Sequence, residues 1–118
     1  MTNTTKRMMF LRKFMQLTNF ACLQGIGFIV TSFYRSPEEQ NKLFKEGKSK
    51  CDGYKKKSNH QRWLAMDIVV IRKNKAIWER TQEYEELGEF WANLLGGTWG
   101  GNWKNFEDVF HFEWTNGD

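Results

Sequence analysis

Hydrophobic residues recur along the chain at two spacings, one typical of helices and one typical of strands. Between Thr5 and Leu23 the apolar positions return every three or four residues, which predicts an amphipathic helix closed by Gly25. The apolar positions of this helix are Phe10, Phe14, Leu17 and Ala21, with Leu11 and Met15 alongside. The first predicted element is therefore a long helix that packs on the core.

A strand and a second helix follow, and both have clear boundaries. The segment "GFIVTSFYR" is rich in β-branched and aromatic residues after a glycine, so it predicts a strand that ends near Arg35. Ser36 is then suited to the N-cap of a helix, with Pro37 at the first helical position and Glu39 completing a capping box. Gly47 predicts the end of that helix. Arg35 thus lies at a strand-to-helix junction.

The segment "LAMDIVVI" alternates in a way that leaves both faces of a strand apolar, apart from Asp67. This strand is predicted to end at the turn "RKNK". A carboxylate removed from water costs several kcal/mol unless it is paired, hydrogen-bonded or bound to a metal. Asp67 therefore needs a partner, and Arg62, Arg72, a loop cap or a metal ion are the candidates.

The remainder of the chain predicts one more helix and one short strand. The buried stripe of the helix is assigned to Leu87, Phe90, Trp91 and Leu94, and Gly96 and Gly97 end it. After a glycine-rich and tryptophan-rich turn, residues 110–114 predict a strand. Phe110, Phe112 and Trp114 would point to one side of this strand, and His111 and Glu113 to the other. His111 is thus predicted to face away from the aromatic side.

Together these elements predict an α+β fold in which helices pack on a small antiparallel sheet. A length of 118 residues, with 40% hydrophobic and 27% charged residues, predicts a single domain over residues 1–118 that folds alone as a monomer. Aromatic residues make up 16% of the chain, which fits either a ring-rich core or an aromatic groove. Trp99 and Trp103 are assigned to the core rather than to a substrate platform.

The net charge of +4 fits an anionic partner, but it also fits simple solubility. Much of the excess lies in a lysine-rich stretch that contains only Glu46 and Asp52 as acidic residues. These lysines are Lys42, Lys45, Lys48, Lys50, Lys55, Lys56 and Lys57. A solvated loop is favoured there, with a functional basic rim as the alternative. Nucleic-acid binding is disfavoured, because no recognition motif accompanies the charge.

Neither a targeting segment nor a disulfide is predicted. Arg12 and Lys13 interrupt the apolar run near the start of the sequence, which argues against a signal peptide. No stretch of about 18 apolar residues could span a bilayer. We therefore expect no stable membrane association and a cytoplasmic location until release. Cys22 and Cys51 match no metal-binding spacing and are assigned as free thiols.

Candidate chemistry centres on the histidines, of which the chain has two. His60 lies near Asp67 along the sequence, and His111 lies near Asp108. Two imidazoles and one carboxylate form a three-ligand zinc site that leaves a fourth position open, as in catalytic zinc centres. The two histidines and the two aspartates therefore become the candidates for a catalytic site.

The motifs around these residues resemble those of the zinc-dependent cell-wall peptidases. That family comprises D-alanyl-D-alanine carboxypeptidases and dipeptidases and the L-alanyl-D-glutamate endopeptidases of phage lysins. "SNHQRWLAMD" resembles its S-x-H-x-x-G-x-A-x-D signature, and the matching residues are Ser58, His60, Ala65 and Asp67. "DVFHFEW" places Asp108 three residues before His111, as the family does with its acidic residue. "YRSPEEQ" supplies an upstream arginine and glutamine, Arg35 and Gln40.

The resemblance implies a role for each matched residue and a fold like that of the D-alanyl-D-alanine peptidases and hedgehog proteins. One zinc ion would be held by His60, Asp67 and His111. Asp108 and Arg35 would be catalytic, as the proton acceptor and the oxyanion donor respectively. Gln40 and Ser58 would contact substrate, and Glu113 would support a ligand. Simpler roles stay open: Asp108 could form a turn, Arg35 could pair with Glu38 or Glu39, and Gln40 could be solvated.

The implied function is hydrolysis of the peptide stem of bacterial peptidoglycan by an L-alanyl-D-glutamate endopeptidase of a phage or prophage endolysin. A D-alanyl-D-alanine carboxypeptidase or dipeptidase is the alternative within the family. A non-catalytic zinc or cell-wall binding module is the alternative outside enzymes. The one clear departure is Trp63, which stands where the signature has glycine. Glycine there would permit a positive φ that tryptophan resists, so the turn after His60 could differ in shape.

Overall fold

The computed structural model of the chain describes residues 1–115, and the last three residues of the predicted domain lie outside that range. The helices are α1 (Asn3–Gln24), α2 (Pro37–Lys45) and α3 (Gln82–Glu89). The strands are β1 (Gly27–Ser32), β2 (Ala65–Arg72), β3 (Lys75–Ile77), β4 (Thr98–Trp99) and β5 (His111–Glu113). Among the described residues, no helix combines the length and apolar character needed to cross a bilayer.

The five strands form one antiparallel sheet in the order β1-β2-β5-β4, with β3 also paired to β2. The α+β prediction is therefore confirmed. Strand β2 is central because β1 covers one edge, while β5 and β3 share the other edge at opposite ends. The hairpin to β3 was not predicted. Its turn residues Lys73 and Asn74 both have positive φ, 53° and 64°, as a tight type I′ turn requires.

The alternation of β2 separates a core face from a second face. Leu64, which precedes the strand, and Met66, Ile68 and Val70 within it join the hydrophobic core. Buried residues of α1 and α3 pack on this face, and aromatic rings connect the elements: Phe10 meets Trp91 edge-to-face with ring centroids 5.8 Å apart. The buried residues of α1 are Phe10, Leu17 and Ala21. Leu11 and Met15 are exposed, so the packed stripe of α1 is narrower than predicted.

Helix α3 continues into an irregular segment that shifts the buried face of the helix. Residues Phe90–Leu94 form a π-helical segment directly after α3, and the Leu95 N–H donates to the carbonyl of Phe90 at 3.2 Å. The wider turn rotates the following side chains, so Leu95 is buried while Leu94 is 72% exposed. The prediction that Leu94 packs in the core was therefore wrong.

The ends of the first two helices follow local rules. Gly25 terminates α1 in the left-handed region with φ 73°. Ser36 caps α2, accepting the Glu39 N–H at 3.1 Å, and Pro37 occupies the first turn as predicted. Strand β1 is shorter than predicted, because its pairing with β2 shifts register near Ser32 and the chain then leaves the sheet. Residues 33–36 consequently run from the sheet toward α2, and Arg35 lies on this segment.

Candidate metal centre

The pairing of β2 with β5 places two of the predicted ligands side by side. Asp67 and His111 are direct cross-strand partners, as are Met66 and Phe112. Because Met66 and Phe112 both belong to the core, the side chains of Asp67 and His111 lie on the opposite face of the sheet. The predicted orientation of His111 away from the aromatic side is confirmed.

His60 reaches the same place from a 3-10 turn, Asn59–Arg62, which precedes β2. Its Nδ1 lies 3.0 Å from the carbonyl oxygen of Phe33, which can only accept, so Nδ1 carries the proton. The other ring nitrogen, Nε2, lies 3.3 Å from Asp67 Oδ1. His111 Nδ1 lies 3.4 Å from the same oxygen, so both imidazoles face one carboxylate atom.

These three side chains fit a divalent cation. One ligand atom from each of His60, Asp67 and His111 lies within 4.8 Å of the others. His60 Nε2 and Asp67 Oδ1 are buried and, among residues 1–115, have no partner in hydrogen-bonding geometry. A buried polar atom left unbonded costs about 1–3 kcal/mol, which coordination of a cation would remove. Two imidazole nitrogens and one carboxylate oxygen are the donor set that zinc favours.

The electrostatics of the cluster also favour a positive charge at its centre. Burial would raise the pKa of Asp67, but the neighbouring imidazoles of His111 and His60 lower it well below its usual range. Burial would lower the pKa of His111, but its interactions with Asp67 and Glu113 raise that pKa to about 9. The cluster therefore holds either a proton or a metal cation beside Asp67, and the two compete.

The carboxylate of Glu113 orients His111 through the ring nitrogen that does not face Asp67. His111 Nε2 lies 2.6 Å from Glu113 Oε1, and the Asn59 side-chain amide donates to Glu113 Oε2 at 2.7 Å. This arrangement keeps Nδ1 of His111 directed at Asp67 and is the usual partner geometry of a metal-binding histidine. Glu113 was predicted to support a ligand, whereas Asn59 was missed, since no sequence pattern marks a contact between residues 54 positions apart.

Arg35 contacts the same cluster from the segment between β1 and α2. Its Nη2 lies 3.2 Å from Asp67 Oδ2, and its Nη1 donates to Gln40 Oε1 at 2.9 Å. The ion pair of Asp67 is thus made by Arg35, not by Arg62 or Arg72 as the sequence had left open. The alternative pairing of Arg35 with Glu38 or Glu39 is likewise replaced by these two contacts. Arg72 pairs with Glu83 on the outer surface.

Gln40 is fully buried, with 0% of its surface exposed, and protein groups engage its amide completely. Its oxygen accepts from Arg35, and its nitrogen donates to Ser49 Oγ at 2.8 Å and to the Cys51 carbonyl at 2.9 Å. It therefore joins Arg35 to the loop that follows α2 and is not solvated. A direct contact with substrate stays a prediction. The two cysteines are free, as expected.

Asp108 lies in the turn before β5 and is half-buried. Its Oδ1 accepts the Phe110 N–H at 3.0 Å, so the turn-forming role is present. Its second carboxylate oxygen accepts no hydrogen bond from residues 1–115 and is open to a water molecule or a substrate. Gly100 permits this turn, because a Cβ there would lie 2.4 Å from the Asp108 carbonyl oxygen. Burial, followed by the charge of Asp67, raises the pKa of Asp108. A raised pKa suits a carboxylate that exchanges protons near neutral pH.

These residues line one cleft with a volume of about 800 Å³. We call the lining residues in and around the candidate metal centre the floor of the cleft, and its lysines the rim. The floor comprises Arg35, His60, Asp67, Asp108, His111 and Glu113. The rim comprises Lys48, Lys50, Lys56, Lys57 and Lys104. Ser58 also lines the cleft, and its buried hydroxyl has no hydrogen-bond partner among residues 1–115, so a substrate contact stays a prediction for it.

The two tryptophans of the glycine-rich turn have different environments. Trp99 is 1% exposed and packs in the core, as predicted. Trp103 is only partly buried, lines the cleft, and has its ring centroid 5.0 Å from that of His111. Its assignment to the core was therefore wrong. The segment leaves β4 through a 3-10 turn, Gly100–Asn102, and this change of direction places Trp103 beside the floor.

Trp63 adopts the backbone conformation that a glycine would favour. It caps the 3-10 turn of His60 in the left-handed region, with φ 61° and ψ 34°. Its indole stacks on Tyr34 with ring centroids 4.9 Å apart, and the Arg7 guanidinium lies 5.3 Å from the indole centroid. The turn after His60 therefore keeps a glycine-like shape in spite of the tryptophan, and packing outside the cleft offsets the strain.

Comparison with known proteins gives matches to a carboxypeptidase family and to two endopeptidases. A family model described as D-alanyl-D-alanine carboxypeptidase matches residues 52–114. The peptidoglycan L-alanyl-D-glutamate endopeptidase CwlK of Bacillus subtilis is 33% identical over 106 residues, which cover 79% of this chain and 64% of that protein. The crystal structure of the L-Ala D-Glu endopeptidase ChiX of Serratia marcescens aligns with a TM-score of 0.63 at 27% identity, covering 76% and 68% of the two chains.

Proposed function

Because the chain belongs to the D-alanyl-D-alanine carboxypeptidase family, we propose that it is a zinc-dependent peptidase that hydrolyses the peptide stem of bacterial peptidoglycan. The observation that carries the proposal is the cluster of His60, Asp67 and His111, which lines an open cleft. Two of its buried ligand atoms, His60 Nε2 and Asp67 Oδ1, lack hydrogen-bond partners within residues 1–115. The chain spans 64% of the length of its Bacillus relative, so the reaction is inferred from the site as well as from the resemblance.

His60, Asp67 and His111 would hold the zinc ion. When bound, the ion would supply Lewis-acid polarisation of the scissile carbonyl and would acidify a water molecule. Asp108 would accept a proton from the attacking water and deliver it to the nitrogen of the leaving amine, for which its raised pKa is suited. Arg35 retains N–H donors beyond those used by Asp67 and Gln40, and these would stabilise negative charge on the carbonyl oxygen.

The proposed scissile bond is that between L-alanine and D-glutamate. The support is that the Bacillus and Serratia relatives are both described as endopeptidases that cleave this bond. We further propose that the protein acts as a monomeric phage or prophage endolysin, which stays in the cytoplasm until it is released to the cell wall without stable membrane association. This proposal rests on the resemblance of the motifs around His60 and His111 to those of phage lysins.

Two other functions stay in view. The description of the matching family model favours a D-alanyl-D-alanine carboxypeptidase, whose cleft would have to close around a terminal carboxylate. A non-catalytic zinc or cell-wall binding module of the same fold would need no proton acceptor. The presence of Asp108 at the floor, with a raised pKa, argues against the module.

Digestion of purified sacculi by the zinc-loaded protein tests these alternatives. New amino termini on D-glutamate would support the endopeptidase. Release of free D-alanine without such termini would support the carboxypeptidase instead. Zinc binding with no new termini of either kind would leave the binding module. The Asp108→Asn protein provides the matched control for contaminating hydrolases.

A further inference from the structure

The rim of the cleft carries positive charge that the protein does not neutralise. Lys48 has a carboxylate partner, Glu46, at 3.4 Å, and the ammonium of Lys50 lies 5.1 Å from the ring centroid of Phe106. Within residues 1–115, the other rim lysines, Lys56, Lys57 and Lys104, form no ion pair with a carboxylate. The sequence favoured a solvated loop, whereas the structure directs part of its charge to the mouth of the cleft.

The carboxylates of the floor compensate the rim only in part, because Asp67 and Glu113 already have protein partners and Asp108, which accepts the Phe110 N–H, adds a single negative charge. Asp67 contacts Arg35 and both histidines, and Glu113 contacts His111 and Asn59. A part-enclosed cleft with uncompensated cations at its mouth favours an anionic ligand over a neutral one. The charge distribution therefore concerns substrate recognition as well as solubility.

Two of the unpaired lysines are adjacent in sequence to residues that line the cleft near the candidate metal centre. Lys57 directly precedes Ser58 and the 3-10 turn that carries His60. Lys104 directly follows Trp103, whose ring lies beside that of His111. One lysine thus comes from each of the two loops that wall the cleft, residues 48–58 and residues 103–106.

The chemistry of the proposed substrate supplies an anion at this position. A glutamate whose amino group is bonded to alanine continues the peptide through one of its two carboxyl groups and keeps the other free. That free carboxylate belongs to the same residue as the scissile nitrogen, so it must enter the cleft whenever the bond reaches the floor. Conversion of this group to a carboxamide removes the charge with little change of shape.

We propose that Lys57 and Lys104 bind the free carboxylate of the D-glutamate that follows the scissile bond, and so make the enzyme selective for stems with an unmodified glutamate. The inference rests on the proposed function and adds a specificity determinant to it. It predicts discrimination between a carboxylate and a carboxamide, which a general attraction to the cell wall would not produce.

The test compares two synthetic peptides that differ only in this group, one with L-alanyl-D-glutamate and one with the corresponding carboxamide. We expect kcat/KM of the wild-type protein to be about tenfold higher for the carboxylate peptide, as for one charge-assisted hydrogen bond in a part-enclosed site. The Lys57→Gln/Lys104→Gln protein should lose this preference through lower kcat/KM for the carboxylate peptide alone. Lys55→Gln, in the same loop but outside the cleft lining, is the matched control and should change nothing.

Other outcomes overturn the inference in distinguishable ways. Equal rates for the two peptides, with both reduced alike in the double variant, would mean that the lysines attract polyanions generally. Loss of binding to poly(glycerol phosphate) in that variant, with unchanged peptide preference, would mean the same. If neither peptide is cleaved and sacculi give no new D-glutamate termini, the proposed function has failed. Calorimetric binding of the two peptides to the zinc-loaded protein then decides the inference alone, and equal or absent binding would contradict it.

Discussion

The floor and the rim of the cleft are built in opposite ways. On the floor, His60, His111 and Arg35 each contact at least two other protein groups, and those contacts connect parts of the chain far apart in sequence. On the rim, four of the five lysines are without an ion-pair partner in the part of the chain that the structure describes, and all five are exposed. The floor is thus preorganised by contacts within the fold, whereas the charges of the rim are mostly left for a ligand to neutralise.

This difference separates two kinds of effect. Preorganised donors support catalysis because their geometry is established before the substrate arrives. A change on the floor should therefore remove metal or turnover while most of the core stays intact. A change on the rim should alter affinity and substrate preference, leaving the metal in place. Substitutions of single residues can therefore test whether each one acts in metal binding and turnover, as we assign to the floor, or in affinity and substrate preference, as we assign to the rim.

The largest effect is expected from removal of a ligand. His60→Ala or His111→Ala should reduce zinc from about one ion per chain to none that survives purification, because two remaining ligands bind zinc weakly. Native mass spectrometry measures the occupancy directly, and Lys55→Gln serves as the control. Wild-type occupancy in either histidine variant would remove that residue from the metal centre.

Asp108→Asn should keep zinc and the fold but lower kcat by about 10²- to 10⁴-fold, the usual contribution of a general base. Asparagine can still accept the Phe110 N–H through its side-chain oxygen, so the turn before β5 should be preserved. Occupancy of zinc and kcat are measured on the same preparation. A protein that loses zinc together with activity would place Asp108 among the ligands instead.

Arg35→Ala should lower kcat/KM by the equivalent of about 2–4 kcal/mol of transition-state stabilisation if the guanidinium acts as an oxyanion donor. Because Arg35 also pairs with Asp67, a purely orienting role would show as weaker zinc affinity with little change of kcat at saturating metal. Chelator competition and turnover, measured together, distinguish these roles. Unchanged values for both would leave Arg35 as a structural ion pair.

The same division explains which features could be predicted from sequence. The alternation around His111 was sufficient to place it on the face away from the aromatic residues, and cap residues such as Ser36 located α2. The face occupied by Asp67 followed only from its pairing with His111, because both faces of its strand are apolar in sequence. Long-range pairing was not accessible in the same way: the contact of Arg35 with Asp67 depends on the register shift at the end of β1. Backbone irregularities were missed for a related reason, since the π-helical segment that buries Leu95 has no local signature. The rim could not be predicted from sequence either, because its lysines line one cleft only after two loops, residues 48–58 and residues 103–106, fold beside each other.

A smaller effect is expected at the support of His111. Glu113→Gln should weaken zinc binding by about 10- to 100-fold, because the imidazole loses the carboxylate that fixes its orientation and enhances its basicity. Asn59→Ala should act in the same direction but less strongly, since it touches His111 only through Glu113. Zinc dissociation constants from chelator competition provide the measurement. Equal affinity in all three proteins would show that His111 is held by its strand alone.

The smallest effect concerns the backbone just outside the floor, at Trp63. Its φ of 61° costs a non-glycine residue about 1 kcal/mol, whereas its contacts with Tyr34 and Arg7 return an amount of the same order. Trp63→Gly loses the contacts and the strain together, so its free energy of unfolding should stay within about 1 kcal/mol of wild type. Trp63→Ala loses the contacts but keeps the strain, so it should be the less stable variant although alanine is larger. Denaturant unfolding of the three proteins measures this order. If Trp63→Ala is instead as stable as Trp63→Gly, strain at this position is negligible and the stacking on Tyr34 alone explains the tryptophan.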